Sequence, residues 1–278
     1  MRHSKNYKLV IPNFSPKMRM AIAASIGAFA LAGCSGESDT QGRENTASSP
    51  VQSSAGHTDG GQPDGAQPQD AQEKVALLTD LGLMRGHLSI FYSLYFSDHI
   101  EHARTHAKHP ESELYARIAP QLAARELDGF ADKLSMVGEA LDGAEKEVVG
   151  KAYKGANGAI FETEQALNAN LSEQLQSIAQ LVRTAGDEYK LAVAPDGTIT
   201  NLHEYQDAMG FVLIAQERLS IIESDDLAAI SKVQEAVYPA LKSLESLFSG
   251  LVPTSVTPDH AKLHAVATHI EEVALALK

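Results

Sequence analysis

Four histidines, His99, His102, His106 and His109, recur at intervals of three, four and three residues. At roughly 100° per residue they fall within an arc of about 80° around a helix, so their imidazoles form one stripe. Neutral imidazole is the commonest transition-metal ligand, and histidines three or four residues apart converge on one ion without straining the backbone. Such a nitrogen set suits zinc, copper or nickel better than calcium or magnesium, which prefer oxygen. His102 and His106 are expected to supply two ligands, assisted by His99, His109 or His87, with a carboxylate or histidine from another helix completing the site. Asp98 and Glu113 are the carboxylates nearest in sequence. A second stripe, His260, His264 and Glu271, is expected at the edge of the apolar face formed by Leu263, Val266, Ile270, Val273 and Leu277.

Whether the first stripe faces the interior depends on the helix that carries it. If that helix is continuous from Met84, the same face bears Met84, Leu88, Phe91 and Tyr95, while Ser93, Ser97, Glu101, Arg104 and Lys108 fall opposite. A break at Ser97-Asp98 would instead turn the stripe toward solvent, as a surface run favoured by the helix dipole. A pH-sensing or haem-contacting role is a further alternative. His87 sits on the flank of the face beside Gly86, whose missing side chain lets another helix or a ligand approach. His203 reads as structural or solvated, and His57 as solvated within a polar tether.

The elements that must position these groups are helical. Aromatics make up 6% of the chain and hydrophobic residues 44%, and Ala, Leu, Glu, Gln and Lys fill long stretches between prolines. Residues 74–278 read as an all-α domain, an antiparallel bundle of five or six helices. The expected helices run from about 76 to 107, from Pro110 to about 141, through 159–193, over 202–222 and over 226–248. The last begins at Thr257-Pro258-Asp259 as N-cap, first-turn proline and acid. The third is expected to be interrupted at Gly155 and Gly158 and to stop at the turn Ala194-Pro195-Asp196-Gly197. Within the fourth, Tyr205 to Phe211 surrounds a mid-helix glycine that suits close packing, with Gln206 and Asp207 expected at the bundle margin.

Several chemistries are missing. No Glu-x-x-His of the di-iron bundles, no Cys-x-x-Cys-His of covalent haem and no His-Glu-x-x-His of zinc proteases occurs. His269 and Glu272 form one His-x-x-Glu, similar to a motif of imelysin-like periplasmic proteins. His269 projects away from its helix's apolar centre, so that family's function is not carried over. Phosphate-binding glycine loops and a nucleophile elbow are also absent, and no enzymatic activity is expected. The net charge of −13 excludes nucleic acid as a natural partner.

The first residues give an address. Arg2, Lys5, Lys8, Lys17 and Arg19 precede an apolar run from Met20 to Ala32 that ends in Leu31-Ala32-Gly33-Cys34. This resembles the lipobox of bacterial lipoproteins, and Cys34 is the sole cysteine of the chain. The resemblance implies that residues 1–33 are a signal peptide cleaved before Cys34, and that Cys34 carries a diacylglyceryl group and an acylated (palmitate-type) amino terminus. Ser35 rather than Asp after the cysteine resembles an outer-membrane address facing the periplasm, and Met18 or Met20 would be tidier starts for the signal. Cleavage would remove five basic and no acidic residues, moving the net charge from −13 to −18. Residues 34–73, rich in Gly, Ser, Gln, Asp and Pro, read as a lipidated cysteine and a disordered tether. The expectation is a lipid-anchored helical binding protein that takes a divalent transition metal through the histidine stripe. The alternative is a non-catalytic envelope interaction or scaffold lipoprotein with incidental histidines.

Overall fold

The computed structural model describes residues 66–143 and 145–277; residues 1–65, including the expected signal peptide, Cys34 and His57, lie outside the described residues. The described chain is all-α, with two isolated β-bridges, Val193 to Ile199 and Thr198 to Ser255, and no strand. Its helices are α1 (Ala66–Phe96), α2 (Ile100–His109), α3 (Ala116–Ala124), α4 (Ala131–Ala140), α5 (Lys146–Ala166), α6 (Leu171–Ala192), α7 (Leu202–Ser220), α8 (Leu227–Ser243) and α9 (His260–Leu275). A π-helical turn, Pro110–Tyr115, joins α2 to α3, and a 3-10 turn, Leu244–Leu247, extends α8. No described helix is long and apolar enough to cross a membrane.

Helix α1 takes in the last eight residues of the expected tether, 66–73. Its first turns are held by a Gln69 to Glu73 hydrogen bond and by Arg125, which pairs with Asp70 and Glu73. From Leu77 to Tyr95 the helix is buried on nearly every side, against α2, α5, α6 and α7. A central helix of this kind must bury polar residues too. Ser93, expected on a solvated face, is buried and donates to the Ser89 carbonyl at 2.8 Å.

The chain has more breaks than its glycines and prolines suggest. Asp98 adopts φ 65°, His99 N donates to Leu94 O and Asp98 N to Tyr95 O, so α1 ends in a Schellman motif with aspartate in the left-handed position. Glu126 (φ 54°) ends α3 in the same way, and Asn168 (φ 47°) separates α5 from α6. The helices expected over 76–107, 110–141 and 159–193 are therefore each divided or shifted. Pro110 opens the π turn and not a separate helix. It is buried inside a continuous helical run, where the π turn absorbs its missing amide hydrogen. The N-cap of α9 is Asp259, which accepts from Lys262 N, rather than Thr257. Gly155 and Gly158 lie inside an unbroken α5.

Helices α6 to α9 follow familiar signals. Asn170 and Glu173 form a capping box at the start of α6, and Asp226 caps α8. The turn at 194–197 closes with Gly197 N donating to Ala194 O at 2.8 Å. Where α1 crosses α7, Gly86 meets Gly210. A Cβ on Gly210 would lie 2.6 Å from Gly86 O, and one on Gly86 would lie 2.5 Å from the Phe211 ring. The two backbones touch only because both side chains are missing.

That contact brackets two buried polar sites. On one side Arg85 pairs with Glu217 (2.6 Å) and Glu164 (3.1 Å) and donates to Asn157, while Arg218 bonds Glu164, Ser177 and the Leu78 carbonyl. Two arginines against two glutamates leave this network neutral, as a core ion cluster must be. The other site holds the histidines.

Candidate metal centre

Helix α7 carries His203 in its first turn and Asp207 one turn later, with Nε2 of the first 3.2 Å from Oδ2 of the second. Asp207 is 3% exposed and Gln206 is fully buried, so both sit inside the bundle and not at its margin. Their signal in the sequence is a polar pair inside an otherwise apolar run from Tyr205 to Ala215. The Gly86 and Gly210 contact brings α1 close enough for His87 to face Asp207, with Nδ1 2.7 Å from Oδ1. Helix α2, folded back along α1 after the break at Asp98, adds His106 and His109.

His106 is fully buried and doubly held. Its Nδ1 lies 2.9 Å from Asp207 Oδ1 and its Nε2 lies 2.9 Å from Gln206 Oε1. Gln206 donates through Nε2 to the Leu251 carbonyl at 2.9 Å, which orients its amide so that the oxygen accepts from His106. This second contact fixes Nε2 as a donor and leaves Nδ1 as the nitrogen turned toward the carboxylate. The rings of His106 and His203 stack at 4.3 Å, and those of His87 and His109 lie 5.2 Å apart. His109 is half-buried, 3.8 Å from the Glu113 carboxylate.

The electrostatics suit a cation. Burial alone would raise the Asp207 carboxyl, but the His106 hydrogen bond and the closeness of His87 outweigh it and hold the group well below the ordinary carboxylate range. Burial lowers His203, and the charges of His106 and His109 lower it further against the pull of Asp207 and Glu204. A lowered histidine is neutral, the form that binds metals. Beside this, Glu188 of α6 shares a hydrogen bond with Glu204; burial, then Glu204, push it up to about 8.

Two nitrogens of the cluster are buried without a hydrogen-bond partner, His87 Nδ1 and His203 Nε2, although each lies near an Asp207 oxygen. Both contacts fall outside hydrogen-bonding geometry. Unpaired buried polar atoms cost free energy, and a cation between imidazole and carboxylate would satisfy both. The ligand atoms of His87, His109 and Asp207 lie within 4.8 Å of one another, as do those of His106, His203 and Asp207. Residues on three helices thus fit a divalent transition metal with nitrogen and oxygen ligands.

Over residues 162–277 the chain is similar to the iron permease-associated 4-helix bundle domain. No curated protein and no solved structure matches it. The iron permease-associated match runs from the last turn of α5 through α9, so it covers His203, Gln206 and Asp207. His87, His106 and His109 come from helices that precede it. The centre is therefore built jointly by the matched bundle and by α1 and α2.

The remaining expected residues take other places. His99 and His102 are exposed on α2 and its cap, 6.5 Å apart ring to ring. The break at Asp98 restarts the helix, and the narrow strip that α2 buries, Ala103, His106 and Ala107, passes beside His102. The four-histidine stripe is thus split, and its interior half is joined by His87 and by the unexpected His203. Asp98 pairs with Lys146 at 2.6 Å. On α9 the second stripe is engaged elsewhere: Glu271 is bound by Arg183 and Gln180, and His264 packs over Gly186 with Nε2 3.5 Å from Asp187. His269 hydrogen-bonds the Ala236 carbonyl at 3.1 Å.

Proposed function

We propose that this chain is a lipid-anchored cell-envelope protein that binds a divalent transition metal, iron(II) foremost, and serves a membrane iron permease. The observation that carries the reading is the convergence of the buried His87 and His106 and the half-buried His109 and His203 on the buried Asp207, with two imidazole nitrogens outside hydrogen-bonding geometry. Incidental histidines would be solvated or hydrogen-bonded, so the scaffold alternative explains this burial poorly. Iron is preferred to the zinc, copper or nickel of the sequence reading because the similar domain is iron permease-associated and because two imidazoles with one carboxylate are a familiar iron(II) set. On affinity alone copper and zinc would compete, so selectivity would rest on metal supply.

The role proposed is binding and delivery, without catalysis. His106 is oriented by Gln206, and the Asp207 carboxylate supplies the negative charge. The lipobox residues Leu31-Ala32-Gly33-Cys34 support anchoring through Cys34 at the outer membrane, facing the periplasm. Metal titration of the full chain under anaerobic conditions tests the first part. Binding should be abolished by Asp207→Ala, reduced by His87→Ala and unaffected by a His99→Ala/His102→Ala pair; the reverse pattern would refute the centre. For the anchor, Cys34→Ser should release the protein from the membrane fraction and abolish labelling by a radioactive fatty acid.

A further inference from the structure

We infer that the centre holds two divalent ions, one on His87 and His109 and one on His106 and His203, with the Asp207 carboxylate shared between them. This rests on the metal-binding reading above and gives it a stoichiometry. The ligand atoms form two sets, each within 4.8 Å, whose common member is Asp207. A single ion would require one set.

The carboxylate already reaches both sets. Oδ1 lies 2.7 Å from His87 Nδ1 and 2.9 Å from His106 Nδ1, and Oδ2 lies 3.2 Å from His203 Nε2. His87 Nδ1 and His203 Nε2 lie beside Asp207 without hydrogen-bonding geometry, so each set contains one buried imidazole nitrogen placed for a cation between it and the carboxylate. If one ion accounted for the cluster, the second orphan would remain. A carboxylate has two oxygens with lone pairs on opposite sides, which lets it bridge where a histidine cannot.

Charge points the same way. One carboxylate balances two divalent cations poorly, and each set has another at its rim: Glu113 is 3.8 Å from His109, and Glu204 acts on His203 from the adjacent position of α7. Two imidazoles and one carboxylate oxygen per ion are also fewer ligands than a divalent metal takes, which suits a site that must surrender its ions.

Stoichiometry decides the matter. The full chain carrying His99→Ala/His102→Ala, to remove exposed surface ligands, is titrated with cobalt(II) alone and read by calorimetry, visible absorption and electron paramagnetic resonance. Two equivalents are expected, with the resonance signal per ion weaker at two equivalents than at one because a shared carboxylate couples the spins. His109→Ala and His203→Ala, both at partly exposed positions, should each leave one equivalent and remove the coupling, with unchanged circular dichroism. One equivalent in the parent, lost in either variant, would overturn the two-ion centre but leave the metal-binding function standing. Two equivalents indifferent to both variants would place the ions elsewhere and overturn it too. No cobalt at all would sink both readings.

Discussion

His106 bridges Asp207 and Gln206: one ring nitrogen lies 2.9 Å from the carboxylate and the other 2.9 Å from an amide oxygen that is itself oriented by the Leu251 carbonyl. Gln206 touches no ligand oxygen or metal position, yet it selects which imidazole nitrogen faces the centre. Gln206→Ala should weaken metal affinity by about 10–100-fold while leaving the stoichiometry intact. A competition titration against a chromophoric chelator reads this, and unchanged affinity would show that the amide is only a packing group.

Metal binding should release protons. His106 Nε2 faces the Gln206 amide oxygen and Nδ1 faces the Asp207 carboxylate, so a metal at Nδ1 must take the place of any hydrogen shared there. Calorimetry in two buffers of unlike ionisation enthalpy should differ by at least one proton per chain, and affinity should fall as pH is lowered. Identical heats in both buffers would show that no proton leaves the centre on binding.

The α1 to α7 crossing sets the distance between His87 and Asp207. Ala in place of Gly normally stabilises a helix by about 0.5–1 kcal/mol, but a Cβ at Gly210 would meet the Gly86 carbonyl, a backbone atom that cannot rotate away. Gly210→Ala should therefore destabilise the fold by about 1–3 kcal/mol and weaken metal binding together. Urea unfolding and titration measure both; a stabilised variant would mean the helices separate freely.

The buried network offers a second structural test. Arg85→Met strips Glu217 of its 2.6 Å partner and leaves a core carboxylate uncompensated, at a cost of about 3–5 kcal/mol. Arg85→Met/Glu217→Leu should recover much of that loss. If the double variant unfolds in urea no later than the single one, the pair itself rather than the orphaned charge holds the helices.

Glu188 makes stability depend on pH. Its carboxyl is raised from 4.5 to about 8, first by burial and then by Glu204, so the folded chain favours the protonated form. Stability from this group is present below the unfolded value and declines as pH rises from about 4.5 toward about 8. Glu188→Gln, which mimics the protonated acid, should raise Tm at pH 8.5 more than at pH 5. Equal shifts at the two pH values would assign the effect to packing.

Periodicity and caps, being local, were readable in one dimension. The all-α class, the turn at 194–197 and the extents of α7 and α8 follow from residues that contact their own neighbours. Gly86 and His87 were marked correctly as a place of close approach. The break at Ser97-Asp98 stood in the sequence as an alternative, whereas those at Glu126 and Asn168 were hidden because each places a non-glycine residue in a left-handed conformation that tertiary contacts select.

The histidine stripe shows the same division at the level of the site. Its residue types and spacing pointed to metal-binding chemistry, with His102 and His106 foremost and His99, His109 or His87 assisting. Only the folded chain decided that His99 and His102 face solvent, and that His203, Gln206 and Asp207 complete the centre. His106 and Asp207 stand 101 residues apart in the chain, and no local pattern encodes their meeting. It depends on α2 turning back at Asp98 and on two glycines letting α1 touch α7, so helix packing, rather than spacing along one helix, assembles the centre.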